Sequence, residues 1–427
     1  MSSLLSDLAS ARSAGMPFGI TSVCSAHPVV LRAAIRRARL DGQPVLIEAT
    51  CNQVNHLGGY TGMTPADFVR FVETIAEEEG LGRDRILFGG DHLGPNPWRK
   101  EPADSALQKA AAMVEAYVKA GFSKIHLDAS MGCAGEPAAL DDDTIARRAA
   151  ALAAIAEKAA REAGLPMPLY ILGTEVPVPG GADHVLDVVE PTAPEAAEAT
   201  IAIHKTIFEE AGLAEAFARV IAFVVQPGVE FGSDNVVAYQ PDKAAALSAV
   251  LTRQPQLVFE AHSTDYQTDA ALAALVRDGY PILKVGPGLT FAYREALYAL
   301  DMIAGELVRD YGDRPLASAM EALMCAEPAD WQAHYHGTDA QLRLQRHYSY
   351  SDRIRYYWNR PDAESAVARL IGALNGVVIP EPLLRQYLGG LPLAAIAGQP
   401  AKEILITAVD QVLASYARAT AAHSISR

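Results

Sequence analysis

Residues able to do chemistry recur through this 427-residue chain at the ends of short apolar runs. Ser25 and His27 follow the first run, Glu48 and Asn52 the second, Asp91 and His92 the third, and Asp128 and Ser130 the fourth. Glu175 follows the fifth, Gln226 the sixth, and His262 and Asp265 the seventh, while Lys284 lies in the eighth. Any one of these could be structural, because acids often cap helix N-termini and a single histidine often only completes a local hydrogen bond. Their return at the same end of successive runs points instead to one shared site. His92, Glu175 and His262 offer two imidazoles and a carboxylate, with Gln226 as a further donor. That set suits zinc or another divalent first-row cation with a position open to substrate. No HExxH motif supports it, so the metal rests on residue types alone. Asp91, Asp128 and Glu48 are the candidates for moving a proton beside such a cation. In a regular strand Asp91 and His92 point to opposite faces, and a bend at Gly89-Gly90 or at the strand end would bring both inward. After the eighth run, Gly286-Pro-Gly288 precedes a helix carrying Arg294. Glycines there could free backbone N–H groups for an anion, or simply make a turn. His27, Asn52, Ser130, Asp265 and Lys284 complete the candidate substrate-binding set.

The elements that must hold these residues follow a repeat. The apolar runs fall at 19–25, 45–50, 86–92, 124–130, 169–175, 220–226, 257–263 and 282–286. Runs so short and so continuously apolar suit parallel strands buried on both faces. Helical periodicity fills the gaps at 28–40, 64–80, 106–120, 143–163, 194–211, 240–252, 269–278 and 291–311, with Thr64 as an N-cap, Pro65 in the first turn and Gly80 at a stop. Eight such units favour a closed (β/α)8 barrel over its rival, an open doubly wound sheet. The barrel is expected over residues 1–311, with a helical extension over 312–427 packed on it. A barrel demands chemistry at the C-terminal ends of its strands, where the polar residues fall. The glycine-rich segment 56–65, tipped by Tyr60, could cover that mouth.

Composition narrows the partners. Half the residues are hydrophobic and 20% are charged, which excludes a disordered chain. The 36 basic and 51 acidic residues give a net charge of −15, which disfavours nucleic acid and anionic membranes while leaving room for a small anion in a local pocket. No apolar run approaches the roughly 18 residues of a membrane span, and the first residues do not read as a signal peptide. Cys24, Cys51, Cys133 and Cys325 are scattered, as expected of free thiols in a reducing cytoplasm. No GxxxxGK[ST], G-x-G-x-x-G or GxSxG pattern occurs where it would carry nucleotide or acyl chemistry.

Longer segments carry a family likeness. CSAHP at 24–28, IEAT at 47–50, GMTPAD at 62–67, GGDHLGPN at 89–96, HLD at 126–128 and GTEVPVPGG at 173–181 resemble the GatZ/KbaZ family. VQPGVEF at 225–231, FEAHSTDYQ at 259–267, ILKVGP at 282–287 and YSYSDR at 348–353 extend the resemblance from about residue 18 to about residue 420. The resemblance implies an accessory subunit of class II D-tagatose-1,6-bisphosphate aldolase, working with a catalytic aldolase chain on a ketohexose phosphate. A more distant likeness to the catalytic class II aldolases implies that Asp91 is an acid/base and His92 and His262 are zinc ligands, with Glu175 standing where those enzymes carry a histidine. The alternative is a stand-alone, metal-dependent ketohexose-phosphate 4-epimerase, since cleaving and re-forming the bond between carbons 3 and 4 interconverts tagatose and fructose phosphates. An oligomer is expected in either case.

Overall fold

The computed structural model describes residues 2–173 and 189–421. Eight parallel strands close into a barrel in sequence order: β1 (Ile20–Cys24), β2 (Val45–Thr50), β3 (Ile86–Leu93), β4 (Lys124–Leu127), β5 (Leu169–Gly173), β6 (Val220–Val224), β7 (Val258–Ala261) and β8 (Ile282–Val285). β8 pairs with β1, Ser22 lying opposite Lys284, and this closes the ring. The open-sheet alternative is thereby excluded.

Because side chains alternate along each strand, the barrel interior is built in levels. The lowest is apolar and holds Ile20, Leu46, Leu87, Leu169, Val258 and Ile282. It is plugged by two short helices, α1 (Ser2–Ser6) and α2 (Leu8–Ser13), whose Leu5 and Leu8 are buried against it. Two residues further along the strands the interior becomes charged: Glu48, Lys124, Glu260 and Lys284 are all buried. Gly89 supplies the room for this level, since a Cβ there would come within 2.7 Å of the Glu48 side chain. The next level up carries Asp91, His126 and, just past the end of β7, His262.

The outer layer begins with α3 (Pro28–Asp41) and α4 (Pro65–Glu79), each entered through a proline and ended by a left-handed glycine, Gly42 and Gly80. Thr64 and Asp67 form a reciprocal capping box at the start of α4. α5 (Ala103–Lys119), α6 (Asp142–Ala163) and α7 (Pro194–Glu210) follow, then α8 (Pro241–Ser248), α9 (Asp269–Arg277) and α10 (Pro287–Leu307). Beyond them lie α11 (Pro315–Ala326), α12 (Asp339–Tyr348), α13 (Pro361–Ala373), α14 (Glu381–Tyr387) and α15 (Ala401–Thr420). The segment from 312 onward is helical and lies against the barrel, but its last helix does more than cover it. α15 inserts between α3 and α10, touches α9, and packs on β1, so it completes the helical ring. Among the described residues no helix is long and apolar enough to cross a membrane, and all four cysteines are free.

Candidate active site at the barrel mouth

β3 is irregular where it matters. Its pairing with β4 shifts between Gly90 and Leu93, and His92 takes a left-handed backbone with φ of 49°. This bend turns both Asp91 and His92 inward, which a regular strand would forbid. Asp91, His92, His126 and His262 then form one buried cluster whose potential ligand atoms all lie within 4.8 Å of one another.

Each member is oriented by a partner. Asp128 Oδ2 lies 2.9 Å from His92 Nδ1, and Asp128 Oδ1 accepts from the Ser130 hydroxyl at 2.6 Å and its N–H at 3.1 Å. Burial alone would raise the Asp128 pKa, but hydrogen bonds and charge from His92 outweigh it and hold the carboxyl well below its usual range. An ionised Asp128 draws the proton of His92 to Nδ1 and leaves Nε2 as the donor nitrogen facing the cluster. His126 is committed on both sides. Its Nε2 donates to the Gly173 carbonyl at 3.0 Å, and its Nδ1 accepts from the His92 N–H at 3.1 Å and lies 2.9 Å from Asp91. Glu260 meets His262 Nε2 at 3.0 Å.

Beneath the cluster, Lys124 bridges Glu48 at 2.6 Å and Glu260 at 2.8 Å, while Lys284 contacts Glu48, Asp91 at 2.6 Å and Glu260 at 3.7 Å. Burial opposes the Asp91 charge, yet the charges of His92 and Lys284 keep its pKa well below the usual value. Lys284 is likewise held cationic: its acidic neighbours outweigh burial. Four carboxylates (Glu48, Asp91, Asp128 and Glu260) face two ammonium groups, an excess of two negative charges. That imbalance, beside imidazoles with oriented rings, fits a divalent cation in both charge and donor chemistry.

The structure sorts the sequence candidates. Asp91, His92, His262, Asn52, Asp265, Lys284 and Gly286 line a mouth pocket of about 150 Å³. Glu48 lies below it as a partner of the two lysines, and Asp128 and Ser130 lie behind His92. Neither carboxylate faces the pocket as a proton-transfer group would. Gln226 spends its Oε1 on the N–H groups of Gly228 and Val229, so the atom that could ligate a metal is tying down a turn. Glu175 lies outside the described residues. His27 caps α3 through Nδ1, packs tilted against Tyr293 with ring centroids 4.3 Å apart, and burial pushes its pKa down to about 4. The anion cradle after β8 is already filled: Asp265 Oδ1 accepts from Gly286 at 3.0 Å and Gly288 at 2.7 Å. Arg294 does not reach the mouth. It is buried over the Phe291 ring at 4.1 Å and near Tyr298 and Tyr348.

Four contributors are not among the site residues expected from the sequence. His126 and Lys124 belong to the fourth strand's inward face, and a strict two-residue alternation ending at Asp128 would have found them. Glu260 stands two residues before His262 on the same face. Arg355 comes from the distant aromatic stretch and lines the mouth pocket with Tyr356. The loop after β2 does lie at the mouth: Tyr60 packs edge-on against Tyr356 at 5.0 Å, and its carbonyl accepts from Asn359 at 3.0 Å. Beside this contact a cavity of about 1070 Å³ opens between the barrel and the segment beyond residue 355, sharing Cys24, Tyr60 and Arg355 with the mouth pocket.

The D-tagatose-1,6-bisphosphate aldolase subunit GatZ/KbaZ-like family matches residues 5–421. A protein of Agrobacterium fabrum (strain C58 / ATCC 33970) named D-tagatose 6-phosphate 4-epimerase is 74% identical over 98% of this chain and 99% of its own length. A crystal structure from Sinorhizobium meliloti 1021, described as a probable tagatose 6 phosphate kinase, is 56% identical, covers 94% of this chain and 100% of that one, and superposes with a TM-score of 0.86.

Proposed function

Since the chain belongs to the GatZ/KbaZ-like family of D-tagatose-1,6-bisphosphate aldolase subunits, we propose that it acts as a metal-dependent 4-epimerase of a ketohexose phosphate, converting tagatose 6-phosphate to fructose 6-phosphate. The observation that carries this reading is the buried cluster of Asp91, His92 and His262 at the barrel mouth, with each ring oriented by a carboxylate. A scaffold that only props up another chain has no use for it.

His92 and His262 would hold the cation, with zinc as the favoured ion for imidazole and carboxylate donors. When bound, it would supply Lewis-acid stabilisation to charge that develops on the ketose carbonyl oxygen. Asp91 is the group placed to take the proton from the hydroxyl on carbon 4, because it is ionised and faces the pocket. As that proton leaves, the bond between carbons 3 and 4 breaks and its electron pair moves toward carbon 2. Asp91 returns the proton after the aldehyde has rotated and carbon 3 has attacked its other face. Lys284 fixes the Asp91 carboxylate, and Asp128 fixes His92. Tyr60 and Tyr356, closing over the pocket, would keep the aldehyde from leaving.

The test is purified protein with tagatose 6-phosphate and a divalent metal, free of any second chain. Fructose 6-phosphate should form, and His262→Ala should abolish it. The family description favours a second reading, in which the chain supports a separate catalytic aldolase. No turnover with any metal, together with activation of a catalytic aldolase chain, would establish that reading and sink the first. Light scattering on the same sample reads whether the active species is an oligomer.

A further inference from the structure

We propose that Arg355, supplied by the C-terminal segment rather than by a barrel strand, is the residue that recognises the phosphate of the substrate. This inference rests on the sugar-phosphate reading above and names the part of the site that would select for it.

The argument is one of commitment. Lys284, the strand cation at the mouth, spends its charge on Glu48, Asp91 and Glu260. The N–H groups of Gly286 and Gly288, where a barrel often binds an anion, are taken by Asp265. Arg294 is enclosed by aromatic rings and does not line the pocket. Arg355 differs from all of these. Among the described residues no carboxylate forms an ion pair with it. Its guanidinium is held by the carbonyl oxygens of Ser351 and Asp352, by the Tyr356 hydroxyl at 2.8 Å, and by the Tyr356 ring at 4.4 Å. These contacts fix the group without cancelling its charge. Arg355 also stands where the mouth pocket meets the larger cavity, so an anion there would share the pocket with Asp91 and His262. A preorganised guanidinium with no carboxylate in direct contact, though in the field of Asp352 and Asp265, is suited to fork-like recognition of phosphate oxygens.

The experiment compares wild type with Arg355→Gln and Arg355→Lys. Inorganic phosphate binding is measured by calorimetry, which needs no turnover. Wild type should bind, Arg355→Gln should lose about 10- to 100-fold in affinity, and Arg355→Lys should lose less because it keeps the charge but not the fork. In the enzymatic arm, KM for tagatose 6-phosphate should rise far more than kcat falls, while unphosphorylated tagatose should be handled alike by both proteins. Should Arg355→Gln fail to fold, protection of wild-type Arg355 from phenylglyoxal by phosphate, read by peptide mass spectrometry, carries the same test. Unchanged phosphate affinity in the folded variant, or absence of phosphate binding by wild type, would each overturn the proposal. Absence of turnover with phosphate binding intact would instead count against the epimerase reading and leave Arg355 in its role.

Discussion

At the scale of single residues, the site works through pairs in which one group orients another. Asp128 is the clearest case, because it sets which nitrogen of His92 faces the cluster. Asp128→Asn keeps the size of the side chain and removes its charge, so metal affinity should fall about 10- to 100-fold. A competition titration with a metal indicator measures this, and unchanged affinity would separate His92 from the metal. Asp265 gives a second expectation, in pH. Burial raises its pKa to about 6, so the folded state binds its proton more tightly than the unfolded chain. Stability from this group is therefore greatest at low pH and is lost as pH rises between about 4 and about 6, by on the order of 3 kcal/mol. Asp265→Asn keeps an acceptor for Gly286 and Gly288 without the charge. Its unfolding free energy relative to wild type should rise between pH 5 and pH 8, as read by urea denaturation, and a flat difference would contradict the assignment. The polar strand ends were legible in the sequence because alternation and apolar context announce them. What each residue spends its hydrogen bonds on was not. Asp128, Gln226 and Arg294 have the right chemical types, and only their neighbours in space reveal them as a buttress, a turn anchor and a buried aromatic contact.

At the scale of elements, all eight strands and their helices could be read, since parallel strands buried on both faces leave nearly unbroken apolar runs. A bend at Gly89-Gly90 or at the strand end was foreseeable, and the positive φ falls at the strand end, at His92. The two N-terminal helices were not foreseeable, because pieces of five and six residues carry too little periodicity. They plug the apolar end of the barrel, opposite the chemistry. Leu8→Ala should therefore cost about 2–5 kcal/mol of stability while leaving KM unchanged. Chemical denaturation alongside steady-state kinetics tests this, and a change in KM at matched folding would mean that the plug communicates with the mouth.

At the scale of the whole molecule, the net charge of −15 sets the background against which, on the proposed reading, a phosphorylated sugar would approach the mouth. On the same reading the excess carboxylates would draw a cation inward, and the Arg355 guanidinium would offset the repulsion that a phosphate meets. The barrel alone thus holds the reactive groups, while the segment past residue 312 supplies Arg355, Tyr356 and one wall of the large cavity. Local pattern cannot announce such a division of labour, because the residues that meet are some 300 positions apart.

The seat of α15 in the helical ring also bears on how the chain comes to be folded. Gly19, at the foot of β1, donates its N–H to the carbonyl of Thr420 at the end of that helix, and Leu413 and Tyr416 of α15 are buried with the core. A ribosome makes β1 early and α15 late. The flank of the first barrel strand therefore stays wet through nearly all of synthesis, and a nascent chain must wait for residues 401–420 before its ring of helices can close.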